Sequence, residues 1–199
     1  SLNFWTANNT YTTFEALATY EKRIKDHSFK LLAGTSVEQS ANRGLEGYRN
    51  TFPNNYLYEL GSGDKATATN NSSLEEYALL SFFGRINLDW ENKYLLEVNL
   101  RADQSSRFLS NNRTGYFPSA SVAWRMDQEA FMEDWVEKGL SNLKFRLSYG
   151  SLGNNSVGNY DAIATYANKP SSGSAFNYTL NNALILGLAQ ARLANPDLT

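Results

Sequence analysis

The chain has 199 residues, a net charge of −2 and no cysteine, which removes disulfide frameworks, thiolate zinc sites and thiol nucleophiles. Its lysines and arginines are spread along the sequence and form no basic patch, so nucleic acid and broad anionic surfaces are disfavoured as partners. Mean hydropathy is −0.48, and no run approaches the ~20 apolar residues of a membrane-spanning helix, residues 183–189 being among the longest. The opening residues carry no initiator Met, basic region or apolar leader, as expected of an excerpt from a longer polypeptide.

In chain order, the dominant signal is period-2 alternation, which recurs in six segments and marks strands whose two faces meet different environments. Phe14, Ala16, Ala18 and Tyr20 alternate with Glu15, Leu17, Thr19 and Glu21. A tight turn at residues 25–27 then leads into Phe29, Leu31, Ala33, Thr35 and Val37. Residues 42–73 read as a long Gly/Asn/Ser-rich loop. Leu80, Phe82, Gly84, Ile86, Leu88 and Trp90 share the next apolar face, and residues 91–93 make a second tight turn. Tyr94, Leu96, Val98, Leu100 and Ala102 follow, opposed by Glu97, Asn99, Arg101 and Asp103. Residues 105–116 read as a loop. Ala120, Val122 and Trp124 form the fifth apolar set. The connection at residues 127–141 contains a helical turn at residues 129–135. Leu143, Phe145, Leu147 and Tyr149 form the sixth set, and a long polar stretch begins at Gly153.

Short turns thus alternate with long loops, the asymmetry of an outer-membrane barrel with periplasmic turns and extracellular loops. Strands of about ten residues suit a tilted bilayer crossing. Tyr20, Trp90, Tyr94 and Tyr149 on the apolar faces suit an aromatic girdle, and Arg85, Asp89, Arg101, Asp103, Lys144 and Arg146 on the other faces suit a wet lumen. The expected fold is all-β, part of a large antiparallel transmembrane β-barrel. Six strands do not close such a barrel, which needs about eight, so the rest of the wall is expected elsewhere. A soluble carbohydrate-binding β-sandwich shares the periodicity and remains the rival from pattern alone.

The segments Ser81-Phe82-Phe83-Gly84-Arg85-Ile86-Asn87, Lys93-Tyr94-Leu95-Leu96-Glu97 and Arg101-Ala102-Asp103-Gln104-Ser105-Ser106-Arg107-Phe108 resemble the SusC/RagA family of TonB-dependent outer-membrane transporters. So do Asn112-Arg113-Thr114-Gly115-Tyr116-Phe117-Pro118-Ser119, Ala123-Trp124-Arg125, Glu129-Ala130-Phe131, Asn142-Leu143-Lys144-Phe145-Arg146 and Ser148-Tyr149-Gly150-Ser151-Leu152-Gly153-Asn154, and the likeness resumes at residues 193–198. Gln104 departs from the Gly the family commonly has there. The resemblance implies that residues 1–199 are a segment of a barrel of about 22 strands with a plug outside this sequence. It implies the outer membrane of a Gram-negative bacterium, a SusD-like surface lipoprotein as lid, TonB as energy coupler, and oligosaccharide or peptide as cargo. A passive porin or an adhesin barrel is the alternative.

No catalytic residue, cofactor or metal site is expected. Glu75 with Glu76, and Glu129 with Glu133, lack a nucleophile or His and read as solvated carboxylates; His27 reads as an exposed turn residue. The Asn-x-Ser/Thr triplets at Asn71, Asn112 and Asn154 read as ordinary loop sequence. Arg85, Arg101, Asp103, Arg107, Arg113 and Arg146 are candidates for lining a cargo path, with a cross-strand charge ladder as the competing account. Tyr48, Phe52, Tyr56, Tyr58, Tyr116 and Tyr160 are candidate loop contacts to cargo or lid, or staples between loops.

Overall fold

The computed structural model describes residues 1–167, 177–195 and 197–198. The long strands are β1 (Leu2–Ile24), β2 (His27–Arg49), β3 (Thr69–Trp90), β4 (Tyr94–Ser105), β5 (Thr114–Arg125) and β6 (Lys144–Gly150). They form one sheet in the order β1-β2-β3-β4-β5-β6, each strand beside its neighbour in sequence. Such a meander needs only hairpin connections. The short strands β7 (Thr165–Ala167), β8 (Asn177–Leu180), β9 (Ala183–Leu186) and β10 (Ala189–Arg192) pair as β7 with β10 and β8 with β9. Of the stretch expected to begin at Gly153, residues 168–176 lie outside the described residues, as does Pro196 of the motif at residues 193–198.

Chain contacts divide into two units, residues 1–13 with 38–78 and residues 14–37 with 79–199, and β1, β2 and β3 contribute to both. In the second unit the antiparallel registers assemble the alternating residues into rows. Trp90, Tyr94, Trp124 and Phe145 lie side by side across four strands, as do Leu88, Leu96, Val122 and Leu147, and then Ile86, Val98, Ala120 and Tyr149. One face is therefore continuously apolar. That face is bare: Leu147 is 74% exposed, Trp90 58% and Phe82 51%, and among the described residues the buried hydrophobic ones are Leu79, Phe108 and Ala162. A soluble sandwich would cover this face with a second sheet; apolar exposure on this scale marks a surface built to meet another phase.

The register relocates two aromatics. Tyr149 lies near the end of β6 yet is level with Ala120 in mid-β5, so it belongs to the middle of the band and not to a girdle. The reason is that β6 ends at Gly150, opposite Ser119, while β5 extends back to Thr114. Tyr116, expected in a loop, is in β5, opposite Ala102 and through it Phe82 on the apolar face. Eight residues separate it from Trp124, about 27 Å along a strand, and a tilted band of that length matches an apolar belt about 25 Å tall.

Strand limits also extend beyond the expected ones. Residues 2–13, 42–49 and 69–73 are strand, leaving a connection at residues 50–68, and the next loop shrinks to residues 106–113. These lengths carry polar residues on both faces, so they are hydrogen-bonded as strands without the alternation that identifies one. The first unit is held by polar pairs of this kind: Asn3 Nδ2 donates to Glu46 Oε1 at 2.8 Å and the Tyr11 hydroxyl to Glu38 Oε2 at 2.8 Å. Its connection is tied down by Arg49 Nη1, which donates to the carbonyls of Gly61 and Gly63 at 3.3 and 3.2 Å.

The two turns differ in economy. Glu91 and Asn92 both have positive φ, 54° and 55°, and Lys93 N–H closes on Trp90 O at 3.0 Å, the geometry whose twist suits a hairpin. The first turn is confined to Lys25 and Asp26, and His27 is already in β2. His27 is half-buried, its ring stacked on Trp90 at 4.0 Å, and its Nδ1 accepts the Glu91 N–H at 3.3 Å. The expected exposed turn histidine is therefore a bridge between two hairpins.

Candidate functional site

The face opposite the apolar rows carries the polar chemistry. Asn87, Glu97, Ser121 and Ser148 make one row, Arg85, Asn99, Ser119 and Gly150 the next, and Phe83, Arg101 and Phe117 a third. Arg85 Nε donates to Asn99 Oδ1 at 2.7 Å, Asn99 Nδ2 donates to Glu97 Oε1 at 3.0 Å and to Ser119 Oγ at 3.2 Å, and Asn87 Nδ2 reaches Glu97 Oε2 at 2.7 Å. Arg101 Nε donates a bifurcated bond to Asp103 Oδ1 and Oδ2 at 2.7 and 2.9 Å, its Nη2 donates to the fully buried Ser81 hydroxyl at 3.0 Å, and its guanidinium lies 5.8 Å from the Phe83 ring centroid. This is a cross-strand ladder, so Arg85, Arg101 and Asp103 are held in place by neighbours. Close by, Gly34 leaves room for two apolar side chains on this face: a Cβ there would stand 2.6 Å from Leu17 and 2.7 Å from Phe83.

Towards the 106–113 loop the ladder opens into a cleft of about 580 Å³ whose lining includes Asp103, Phe108, Arg113, Phe117, Asn154 and Asn155. Arg107 Nε donates to Asn159 Oδ1 at 2.9 Å and its Nη1 to the Asn155 carbonyl at 2.6 Å, which pins residues 155–159 against the loop. Arg113 Nε reaches the Phe108 carbonyl at 3.4 Å. The Phe117 ring covers Gly115 and Gly153, where a Cβ would stand 2.6 and 2.2 Å from it. Guanidinium, carboxylate, amides and a ring thus converge on one hollow, the composition of a site for a polar ligand with some apolar surface.

The candidates do not all meet there. Asp103 and Arg113 do; Arg107 reaches only its border, through the Asn155 carbonyl, and Arg85 and Arg101 lie along the ladder. Arg146 lines a separate cleft of about 270 Å³ with Glu21, Lys30, Asp89 and Glu97, where Asp89 Oδ1 is buried without a hydrogen-bond partner among the described residues. Tyr48, Tyr56 and Tyr58 belong to the first unit, and Tyr56 and Tyr58 are 87% and 76% exposed. Tyr160 is in the second unit, within the polar stretch after β6.

The connection after β5 holds a residue that composition undervalued. Glu129, expected as a solvated carboxylate, is 14% exposed. Its Oε1 accepts the Tyr94 hydroxyl at 2.6 Å and Trp124 Nε1 at 2.9 Å, and its Oε2 pairs with Lys93 Nζ at 3.1 Å. Donation from Tyr94, then Trp124 and Lys93, lowers its pKa to about 2. Asp127 is also lowered, chiefly by the Gln128 amide, and accepts the Leu143 N–H at 3.2 Å, which steers the chain into β6. No local spacing encodes this role for Glu129; its partners come from two strands and a turn. Asn154 and Asn155, read as ordinary loop sequence, and Phe117 reach the cleft only through the fold.

No family model matches the chain. TonB-dependent receptor P3 of Formosa agariphila is 35% identical over 161 residues, 80% of this chain and 16% of that receptor. TonB-dependent receptor SusC of Bacteroides thetaiotaomicron is 42% identical over 80 residues, 40% of this chain and 8% of that receptor. The solved RagAB peptide transporter superposes with a TM-score of 0.82 at 27% identity, covering 98% of this chain and 21% of that one. The chain therefore spans less than a fifth of either curated receptor's length.

Proposed function

From the premise that the chain belongs to the SusC/RagA family of TonB-dependent receptors, we propose that residues 1–199 are one stretch of the barrel wall of an outer-membrane nutrient importer in a Gram-negative bacterium. The plug and the remaining strands come from the rest of a longer polypeptide. The observation that carries this reading is the separation of faces: continuous exposed apolar rows on one side and a hydrogen-bonded polar ladder on the other. Lipid contact on the first face and a wet lumen on the second satisfy both, since an open sheet edge is not tolerated in hydrocarbon and the wall closes through further strands.

Cargo is an oligosaccharide or a peptide, energy comes through TonB, a SusD-like lipoprotein closes the outer mouth, and no covalent step is catalysed. Asp103 and Arg113 contact cargo at the cleft, and Arg107 holds its border. Arg85 and Arg101 line the path as fixed members of the ladder, and Arg146 lines its turn-side end. Tyr56, Tyr58 and Tyr160 serve the loops facing cargo or lid, and Tyr48, expected in a loop, does so from the end of β2. Tyr116 is assigned to the outer girdle. The test is uptake of labelled oligosaccharide and peptide mixtures by cells with and without the full-length receptor, each with and without a protonophore. Receptor-dependent uptake abolished by the protonophore is expected; uptake that survives it identifies a passive pore.

A further inference from the structure

The connection between β5 and β6 exposes apolar side chains away from the strands. It runs from a single 3-10 turn (Ala130–Met132) into a short helix, α1 (Glu133–Glu137). Four residues apart, Phe131 and Trp135 fall on one side of this run with Val136 beside them, while Glu133, Asp134 and Glu137 fall on the other. Phe131 and Trp135 are each 62% exposed. So short a segment does not keep its shape by helix propensity; here both ends are fixed. At its start Glu129 is held by Lys93, Tyr94 and Trp124, and the Met132 N–H donates to the Glu129 carbonyl at 2.9 Å. At its finish Gly139 takes a φ of 109°, and the Leu140 N–H returns to the Trp135 carbonyl at 3.0 Å.

A ring contact shows where the apolar side belongs. The Phe131 ring lies 6.3 Å from that of Trp124, and Trp124 stands in the first apolar row of the sheet with Trp90, Tyr94 and Phe145. The apolar side of the segment therefore continues the bare face past its last row. We infer that residues 131–136 are an interfacial anchor, with Phe131 and Trp135 entering the periplasmic leaflet at the depth of the lipid carbonyls and the acids of α1 in periplasmic water. This inference rests on the wall reading, which gives the bare face to lipid and the short turns to the periplasm. Lys138 Nζ lies 5.9 Å from the Trp135 ring centroid, at a place from which a long stem reaches a lipid phosphate. Three acids against that one lysine select no anionic headgroup, so the occupant is a zwitterionic lipid surface, held through its apolar boundary.

The full-length receptor is placed in phosphatidylcholine vesicles as wild type and as Trp135→Phe, the difference between the two emissions being that of Trp135. Bromine on the acyl chains close to the carbonyls should reduce that difference about twofold, and bromine at the chain ends should reduce it less, the pattern of a ring at the interface. In the Trp135→Phe protein, a tryptophan introduced by Glu133→Trp should respond to neither lipid. One introduced by Tyr149→Trp, in the middle of the band, should respond more to bromine at the chain ends. A Trp135 difference untouched by bromine, from a ring in water or under protein, overturns the anchor, as does equal quenching at residues 133 and 135; quenching of Tyr149→Trp keeps the wall in either case. No quenching of Tyr149→Trp overturns the wall and the anchor with it.

Discussion

Residues 79–150 and the outer lengths of β1 and β2 are both long antiparallel strand, yet only the first announces itself in the sequence. In the first, Leu96, Val98 and Leu100 meet one phase while Glu97, Asn99 and Arg101 meet another. In the second, the stretch from Thr6 to Thr13 carries Thr and Asn on both faces and is strand all the same. Alternation records a difference of environment across the sheet; backbone pairing needs no such difference. A strand with water on both sides is invisible to a period-2 reading.

That contrast is broken most forcefully by placing charge on the two kinds of strand. Val98→Arg in mid-band should cost about 2–4 kcal/mol, whereas Thr10→Arg should stay within about 0.5 kcal/mol; denaturant unfolding of the full-length protein in lipid vesicles measures both. Next in size, Gly34→Val drives a side chain into Leu17 and Phe83 and should cost about 1–3 kcal/mol, while Gly61→Ala in the first unit meets nothing within 4 Å and should be near neutral in the same assay.

The belt offers a pH test. A carboxylate whose folded pKa is depressed stabilises the fold fully above its unfolded value, near 4.5, and loses that contribution as pH falls through the folded value, here about 2. Tryptophan emission should therefore shift as pH falls across that window, through loss of the Trp124 bond to Glu129, and Glu129→Gln should abolish the shift. The smallest expected effect is local. Arg107→Ala removes the bonds to Asn155 and Asn159 and should speed protease cleavage within residues 151–164 while shifting global unfolding by less than about 1 kcal/mol.

Much of the wall was legible before the structure because each apolar set from Phe14 to Tyr149 obeys one period, and the short turn at residues 91–93 gave the hairpin. Less legible were features made by register. Tyr116 reads as loop until β5 sets it opposite Ala102, Tyr149 reads as girdle until β6 proves short, and His27 reads as turn until Trp90 stacks on it. Glu129 gathers partners from residues 93, 94 and 124, a convergence that no linear spacing encodes. The polar ladder was half-visible: the charges were plain, but whether they pair or face cargo depends on which residues stand opposite.

The separation of faces is open to one direct measurement. Residues 94–103 contain no cysteine, so single nitroxide labels placed at each position of the full-length protein in lipid vesicles report exposure to oxygen, which enters the bilayer, and to a water-soluble nickel chelate. The account predicts alternation throughout, with positions 96, 98 and 100 favouring oxygen and positions 97, 99 and 101 favouring the chelate. Labels shielded from both reagents on both faces would contradict it.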